Sequence, residues 1–238
     1  MSQLPIRPEE AAKIVLKRLP TKRMRDVIEK RYGLKGGRKK TLEAIGKEYK
    51  ITRERVRQIE TDALRHLSKG SSEQELTPFY RSLEEHIERQ HGRVAAEHHL
   101  FQSLGYREPN PYLALLLHVG KGFSLVPETA NYHKCWSLTK EAVARKEKIV
   151  NGVVEELERA GRPVSMEKLL SWAARAAGAE GGETFSQEAL QSYLHSSKLI
   201  GRNPYGEVGL ASWSSIRPRG VRDKAYLVLK KAKQPKHF

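Results

Sequence analysis

TLEAIGKEYKITRERVRQIETDALRHL, residues 41–67, holds two helical patterns with only Lys50, Ile51 and Thr52 between them. Thr41 is a good N-cap, Glu43 falls in the first turn behind it, and Leu42 and Ile45 share an inward face. In the second pattern Val56, Ile59, Ala63 and Leu67 recur three or four residues apart, which places them on one stripe of a 3.6-residue helix. Glu54, Gln58, Thr61 and Arg65 centre the opposite face, with Arg57 beside them and Arg53 at the first turn. Thr52 caps this helix by offering its hydroxyl to an unpaired backbone N–H. Two helices on so tight a connection, the second carrying long polar side chains outward, describe a helix-turn-helix.

Working outward, PEEAAKIVLKRLPTKRMRDVIEKRYGL (residues 8–34) reads as two more helices, the first opened by Pro8 and the two divided at Pro20–Thr21. KGGRKK (35–40) is a loop that presents Lys39 and Lys40. The charge is uneven along the chain. Of a net +16, residues 1–70 carry +11, residues 71–216 carry −2 and residues 217–238 carry +7. Charge concentrated at two ends implies contact with a polyanion there.

The stretch LPTKRMRDVIEKRYGL…TLEAIGKEYKITRERVRQIETDALRHL resembles region four of the bacterial sigma-70 family over residues 15–69, the helix-turn-helix that reads the minus-thirty-five promoter element. The resemblance implies base reading by Arg53, Glu54 and Gln58. It also implies contact of Arg55 and Arg57 with DNA backbone or a neighbouring protein, with Thr52, Arg65, Lys39 and Lys40 as further backbone or partner contacts. The chemistry agrees: arginine pairs with guanine bidentately, glutamate accepts from cytosine N4, and glutamine meets adenine or a thymine edge. Lys50 stands where many members have glycine, which costs about 1 kcal/mol if the residue is left-handed. The helical region with which a complete sigma factor melts DNA has no counterpart before residue 15, so the expectation is a promoter reader without a melting apparatus.

After a Ser/Gly-bearing linker at 70–77 an internal repeat begins. LEEHIERQHGRVAAEHHLFQSL (83–104) parallels VVEELERAGRPVSMEKLLSWA (153–173), with Val94 matching Val164, Glu97 matching Glu167 and Leu100 matching Leu170. Each copy then runs from a helix into two short strands and ends on Trp136 or Trp213. Helix, short strand, two helices and a hairpin make a winged helix. The expected architecture is therefore mainly α: the helix-turn-helix domain (1–69), the linker, then two tandem winged helices (78–140 and 141–216) with small β-hairpin wings. Their closing segments, with GLASWSSIRPRGVRDKAYLVLKK, look similar to the delta-subunit/HARE-type helix-turn-helix family associated with RNA polymerase. At 217–238 a third copy begins or a basic tail follows, since Val221, Ala225 and Leu229 repeat the spacing of Ile149, Val153 and Leu157.

No catalytic set emerges, and the expectation is not an enzyme. His98 and His99 are adjacent and diverge on a helix; with Glu97 they lack metalloprotease spacing. The GKG at 120–122 reads as a turn into the wing. Cys135, the sole cysteine, excludes an internal disulfide and reads with Trp136 and Trp213 as core. Carboxylates at 84, 85, 155, 156 and 158 read as solvated faces. The longest apolar run, YLALLL at 112–117, is far short of a membrane span. The sequence thus points to a cytoplasmic, nucleoid-associated transcription factor that reads promoter-like double-stranded DNA with RNA polymerase as partner. It implies no cofactor, metal, membrane or small-molecule substrate. The alternative is a delta-like polymerase-associated interaction module in which DNA reading is incidental. Few basic residues in SQEALQSYLHSSK and NPYLALLLHVGK imply that the winged helices bind protein rather than DNA.

Overall fold

Threonine caps open three of the first four helices in the computed structural model, which describes residues 4–70, 74–179 and 184–232. The helices are α1 (Pro8–Leu16), α2 (Lys22–Tyr32), α3 (Leu42–Tyr49) and α4 (Arg53–Gly70). Thr21, Thr41 and Thr52 accept through Oγ1 from the backbone N–H of Met24 (3.2 Å), Ala44 (3.1 Å) and Arg55 (3.1 Å). Between α3 and α4 the chain turns through Lys50, left-handed at φ 53°, ψ 45°. Ile51 N–H closes the turn on Gly46 O at 3.0 Å. Gly46 is needed there, because a Cβ would lie 2.8 Å from Ile51 O. Val27, Ile45, Val56 and Ile59 form a buried cluster, with Met24, Leu42, Tyr49 and Ile51 packed around it. Ala63 and Leu67 are also fully buried, so the stripe read from residues 56–67 is the core face of α4.

A 3₁₀ turn (Gln74–Leu76) leads into α5 (Thr77–His91), β1 (Val94–Ala96), α6 (Glu97–Ser103), α7 (Pro111–Val119) and β2 (Ser124–Val126). Of the expected linker at 70–77, residues 71–73 lie outside the described residues; Leu76 is buried and Thr77 already starts α5. Contacts divide the chain into two units, residues 1–88 with 98–125, and residues 89–97 with 126–238. In the first unit α7 packs against α1, α2 and α4. That explains the apolar run at 112–117: Leu113, Ala114, Leu115, Leu116 and Leu117 are all buried, as they must be on a helix apolar all round. Asn110 fixes the start of α7. Its Oδ1 accepts from Tyr112 N (2.9 Å) and Leu113 N (3.0 Å), while Nδ2 donates to Glu9 at 3.1 Å.

The second unit continues with β3 (Cys135–Ser137), α8 (Lys140–Ala160), α9 (Met166–Ala179), α10 (Gln187–His195), β4 (Ile200–Arg202), β5 (Val208–Leu210) and α11 (Val221–Lys231). β1 and β3 pair antiparallel with Ala95 opposite Trp136, and β4 and β5 pair with Gly201 opposite Gly209. Val164, the counterpart of Val94 in the repeat, makes only an isolated bridge to Val208. One core joins Val94, Ala96 and Cys135 to Ile149, Val153 and Leu157 of α8 and to residues of α9, α10 and β5. Hydrogen bonds tie the same parts together: Tyr193 Oη donates to Gly92 O, and His91 Nδ1 meets Ser192 Oγ at 2.7 Å. The loop before β3 is held at Tyr132 by a bridge to Ser197 and by His133 N–H donating to Ser196 O at 2.9 Å.

Candidate nucleic-acid interface

Arg53, Glu54, Arg55, Arg57, Gln58 and Arg65 are all exposed on α4, on the side away from its buried stripe. Their polar ends are ordered by one another. Arg57 grips the Glu54 carboxylate with Nε (2.9 and 3.1 Å) and Nη2 (2.7 Å), while Arg55 Nη1 donates to Gln58 Oε1 at 3.0 Å. Hydrogen bonds from Arg57 hold the Glu54 carboxyl below the usual glutamate range, so it is an ionised acceptor at neutral pH. Arg65 pairs with Asp62 at 3.1 Å one turn back. Such exposed pairs contribute little to stability and exchange readily for better partners.

Sequence reasoning found these side chains but missed the frame that holds them. Arg31, at the end of α2, donates to Glu60 on α4 (3.0 Å) and through Nη1 to Lys40 O (2.6 Å), pinning the 35–40 loop beside the helix. A cavity of about 320 Å³ lined by Arg31, Thr41, Leu42, Glu43 and Arg53 opens there. Lys30 bridges Asp26 (2.7 Å) and Glu48 (2.8 Å), and its Nζ lies 4.8 Å from the centre of the Tyr49 ring. Burial pushes the Asp26 carboxyl up, but hydrogen bonds from Lys30 and Tyr49 outweigh it and hold it low. Lys40, expected at the interface, is paired with Glu48 on α3, whereas Lys39 is exposed. The Asp26–Lys30 spacing of four was a signal for half of this network; Glu48 and Tyr49 carry none in the sequence.

The remaining candidates are placed elsewhere. The apolar helix α7 and the inner face of α10 (Ala189, Leu190, Tyr193, Leu194) are buried, so neither is free to enter a DNA groove along that face. His98 is exposed and its ring centroid lies 6.4 Å from that of His99. Among the described residues no group of three or more His, Cys, Asp or Glu could hold a metal ion, and no helix is long and apolar enough to cross a membrane. Cys135 is buried, and burial raises its thiol pKa. Trp136 is buried with its indole N–H donating to Glu97 at 2.9 Å, while Trp213 is half-buried against the second unit's core. Glu85 pairs with Arg81, and Glu155 and Glu156 with Arg159, as solvated faces do.

Comparison with known proteins bears on the first unit. The chain is 62% identical over 45 residues to the RNA polymerase sigma factor SigA of Nostoc sp., covering 19% of this chain and 12% of that protein. It is 62% identical over 45 residues to SigA1 of Synechococcus elongatus, covering 19% of this chain and 11% of that protein. To SigA of Clostridium acetobutylicum it is 48% identical over 59 residues, covering 25% of this chain and 16% of that protein. The chain thus spans between about a tenth and a sixth of these relatives. No solved structure matches the chain significantly. The family model described as Sigma-70, region 4 matches residues 15–69, the segment that builds α2, α3 and α4, and these residues form a sigma-70 region 4 domain.

Proposed function

We propose that the chain is a sequence-specific DNA-binding protein of transcription initiation, reading a minus-thirty-five-type promoter element in duplex DNA alongside bacterial RNA polymerase. The observation that carries this reading is the outer face of α4. Arg53, Glu54 and Gln58 stand exposed on it, within the residues 15–69 that match a region 4 domain. In this reading Arg53 donates to a guanine, Glu54 accepts from an exocyclic amine, and Gln58 reads an adenine or thymine edge. Before contact, Arg57 and Arg55 hold Glu54 and Gln58; on contact they exchange these partners for phosphates. Exposed Lys39 gives a further cation for the backbone, while Arg31 stays with Glu60 and Lys40 O as part of the frame. Thr52 caps α4, and Lys40 acts through Glu48 as part of the frame rather than as a free cation.

The rest of the chain, under the same proposal, is two winged-helix repeats (78–140 and 141–216), followed from 217 by the start of a third repeat or a basic tail. They hold protein rather than DNA. Their near-neutral charge of −2 over residues 71–216 gives little counterion release, and the helices expected to read a groove are buried along α7 and the inner face of α10. Such a protein works in the cytoplasm at the nucleoid.

The test is selection of duplexes from a random pool by the full 238-residue chain. A minus-thirty-five-like consensus is expected, and Gln58→Ala should lose about 5- to 150-fold discrimination at one position, the equivalent of roughly 1–3 kcal/mol. If every duplex weakens equally in Gln58→Ala and Glu54→Ala, α4 does not read bases. If no sequence is selected at all, the polymerase-bound interaction module is the better description.

A further inference from the structure

The helix α11 wears its apolar stripe on the outside. Val221, Ala225, Val228 and Leu229 follow the i, i+4, i+7, i+8 spacing of a core-facing helix. Yet Val221 is 84% exposed, Leu229 47% and Val228 43%, and Tyr226 beside them is 58% exposed. The helix is anchored instead by Leu227 on its other side, which is 5% exposed. A contiguous apolar stripe turned to solvent, rimmed by polar groups, is the mark of a surface that another molecule covers.

The chain itself shows what covers such a stripe. On α8 the residues at matching positions, Ile149, Val153 and Leu157, are fully buried, and α9 and α10 lie across them. Charge then narrows the class of partner. Arg222, Lys224 and Lys230 are exposed on α11, and Arg217 and Arg219 are exposed just before it. Residues 217–238 carry eight basic side chains against one acidic, and that one, Asp223, accepts a hydrogen bond from Arg219 N–H at 3.1 Å. A duplex would use the cations and leave the stripe wet. A bilayer would take both, but an eleven-residue helix with a four-residue stripe offers it little buried area. We propose that α11 is a docking helix for a partner protein, and that the occupant is an acidic amphipathic helix. Its apolar side chains lie on Val221, Ala225, Val228 and Leu229, and its carboxylates meet Arg222 and Lys224, which flank that stripe on either side.

The test uses the full chain and a fluorescent amphipathic peptide of about eighteen residues, long enough to form a helix on contact, with leucines on one face and glutamates elsewhere. Anisotropy should show saturable one-to-one binding that weakens with salt, and a matched leucine/lysine peptide should bind at least about tenfold more weakly. Val221→Ser with Leu229→Ser should lower affinity for the acidic peptide by about tenfold or more, as should Arg222→Glu with Lys224→Glu. Both pairs lie on exposed positions, so circular dichroism should not change, and selection of duplex DNA through α4, read in the same samples, should be untouched. No saturable binding, equal binding of the two peptides, or binding that survives the serine pair overturns the proposal. So does tighter binding of anionic vesicles or duplex DNA through Val221 and Leu229 than of the acidic peptide.

Discussion

Replacing Lys50 by glycine should make the helix-turn-helix more stable without touching the exposed polar face of α4. Lys50 sits at φ 53°, ψ 45° between α3 and α4, and its side chain is exposed. The left-handed conformation costs a residue with a Cβ about 1–2 kcal/mol. Glycine removes that strain but brings more freedom to the unfolded chain, worth roughly 0.5–1 kcal/mol in the other direction. The net gain is therefore about 0.5–1 kcal/mol, or roughly 2–5 °C in the melting temperature of a cooperative unit near one hundred residues. Lys50→Ala keeps the Cβ and should gain nothing, which separates backbone strain from loss of the charge. Gly46→Ala is the opposite control, since its new Cβ would lie 2.8 Å from Ile51 O. The turn would have to open, at about 1–3 kcal/mol. Urea and thermal melts of the three variants, followed by circular dichroism, measure the order. A Lys50→Gly protein no more stable than the parent, or a Lys50→Ala protein that gains as much, refutes the reasoning.

Other outcomes follow from the same geometry. Arg55→Ala should weaken every duplex together and shallow the salt dependence by about one unit if its guanidinium moves from Gln58 to a phosphate, measured by titration at several salt concentrations. Arg31→Met breaks the half-buried link to Glu60 and Lys40 O and should cost about 1–3 kcal/mol in a urea melt; Arg31→Lys should not restore it, because one ammonium cannot serve both acceptors in that fork geometry. Lys146 is fully buried on α8, its Nζ 3.9 Å from the Tyr132 ring centre and no nearer than that to Glu147. Burial lowers its pKa, so between that lowered value and the ordinary value of about 10.4 the folded chain holds fewer protons than the unfolded one. Stability should rise with pH across that window, and Lys146→Met should flatten the rise and stabilise the second unit by about 1–4 kcal/mol, read from urea melts at pH 7 and 10.

Residues 41–67 were legible because each level agrees there: the threonine caps, the 3.6-residue period of Val56, Ile59, Ala63 and Leu67, and a three-residue turn leave one arrangement. Periodicity also separated the outer face of α4 from its core face and so put Glu54 and Gln58 outward, whereas Arg53, which is also exposed, was singled out by the family resemblance. It could not show that Arg31 reaches both Glu60 and Lys40 O, since those partners lie 29 and 9 residues away. Nor could it show that α7 packs on α1, α2 and α4, because an all-apolar helix declares that it is buried without saying against what. Lys146 escaped for the opposite reason: a single lysine on a charged helix is ordinarily drawn on the solvent side, and only the fold places it under Tyr132.

The contrast between α8 and α11 shows where such reading stops. Ile149, Val153 and Leu157 share the spacing of Val221, Ala225 and Leu229, so a pattern assigns both sets to a core. The first set is fully buried, while Val221 is 84% exposed. Nothing within either helix accounts for the difference. It comes from whether two further helices lie across the stripe, as α9 and α10 do for α8. An apolar period in a sequence therefore records a demand for burial, and only the fold shows whether the described residues meet it.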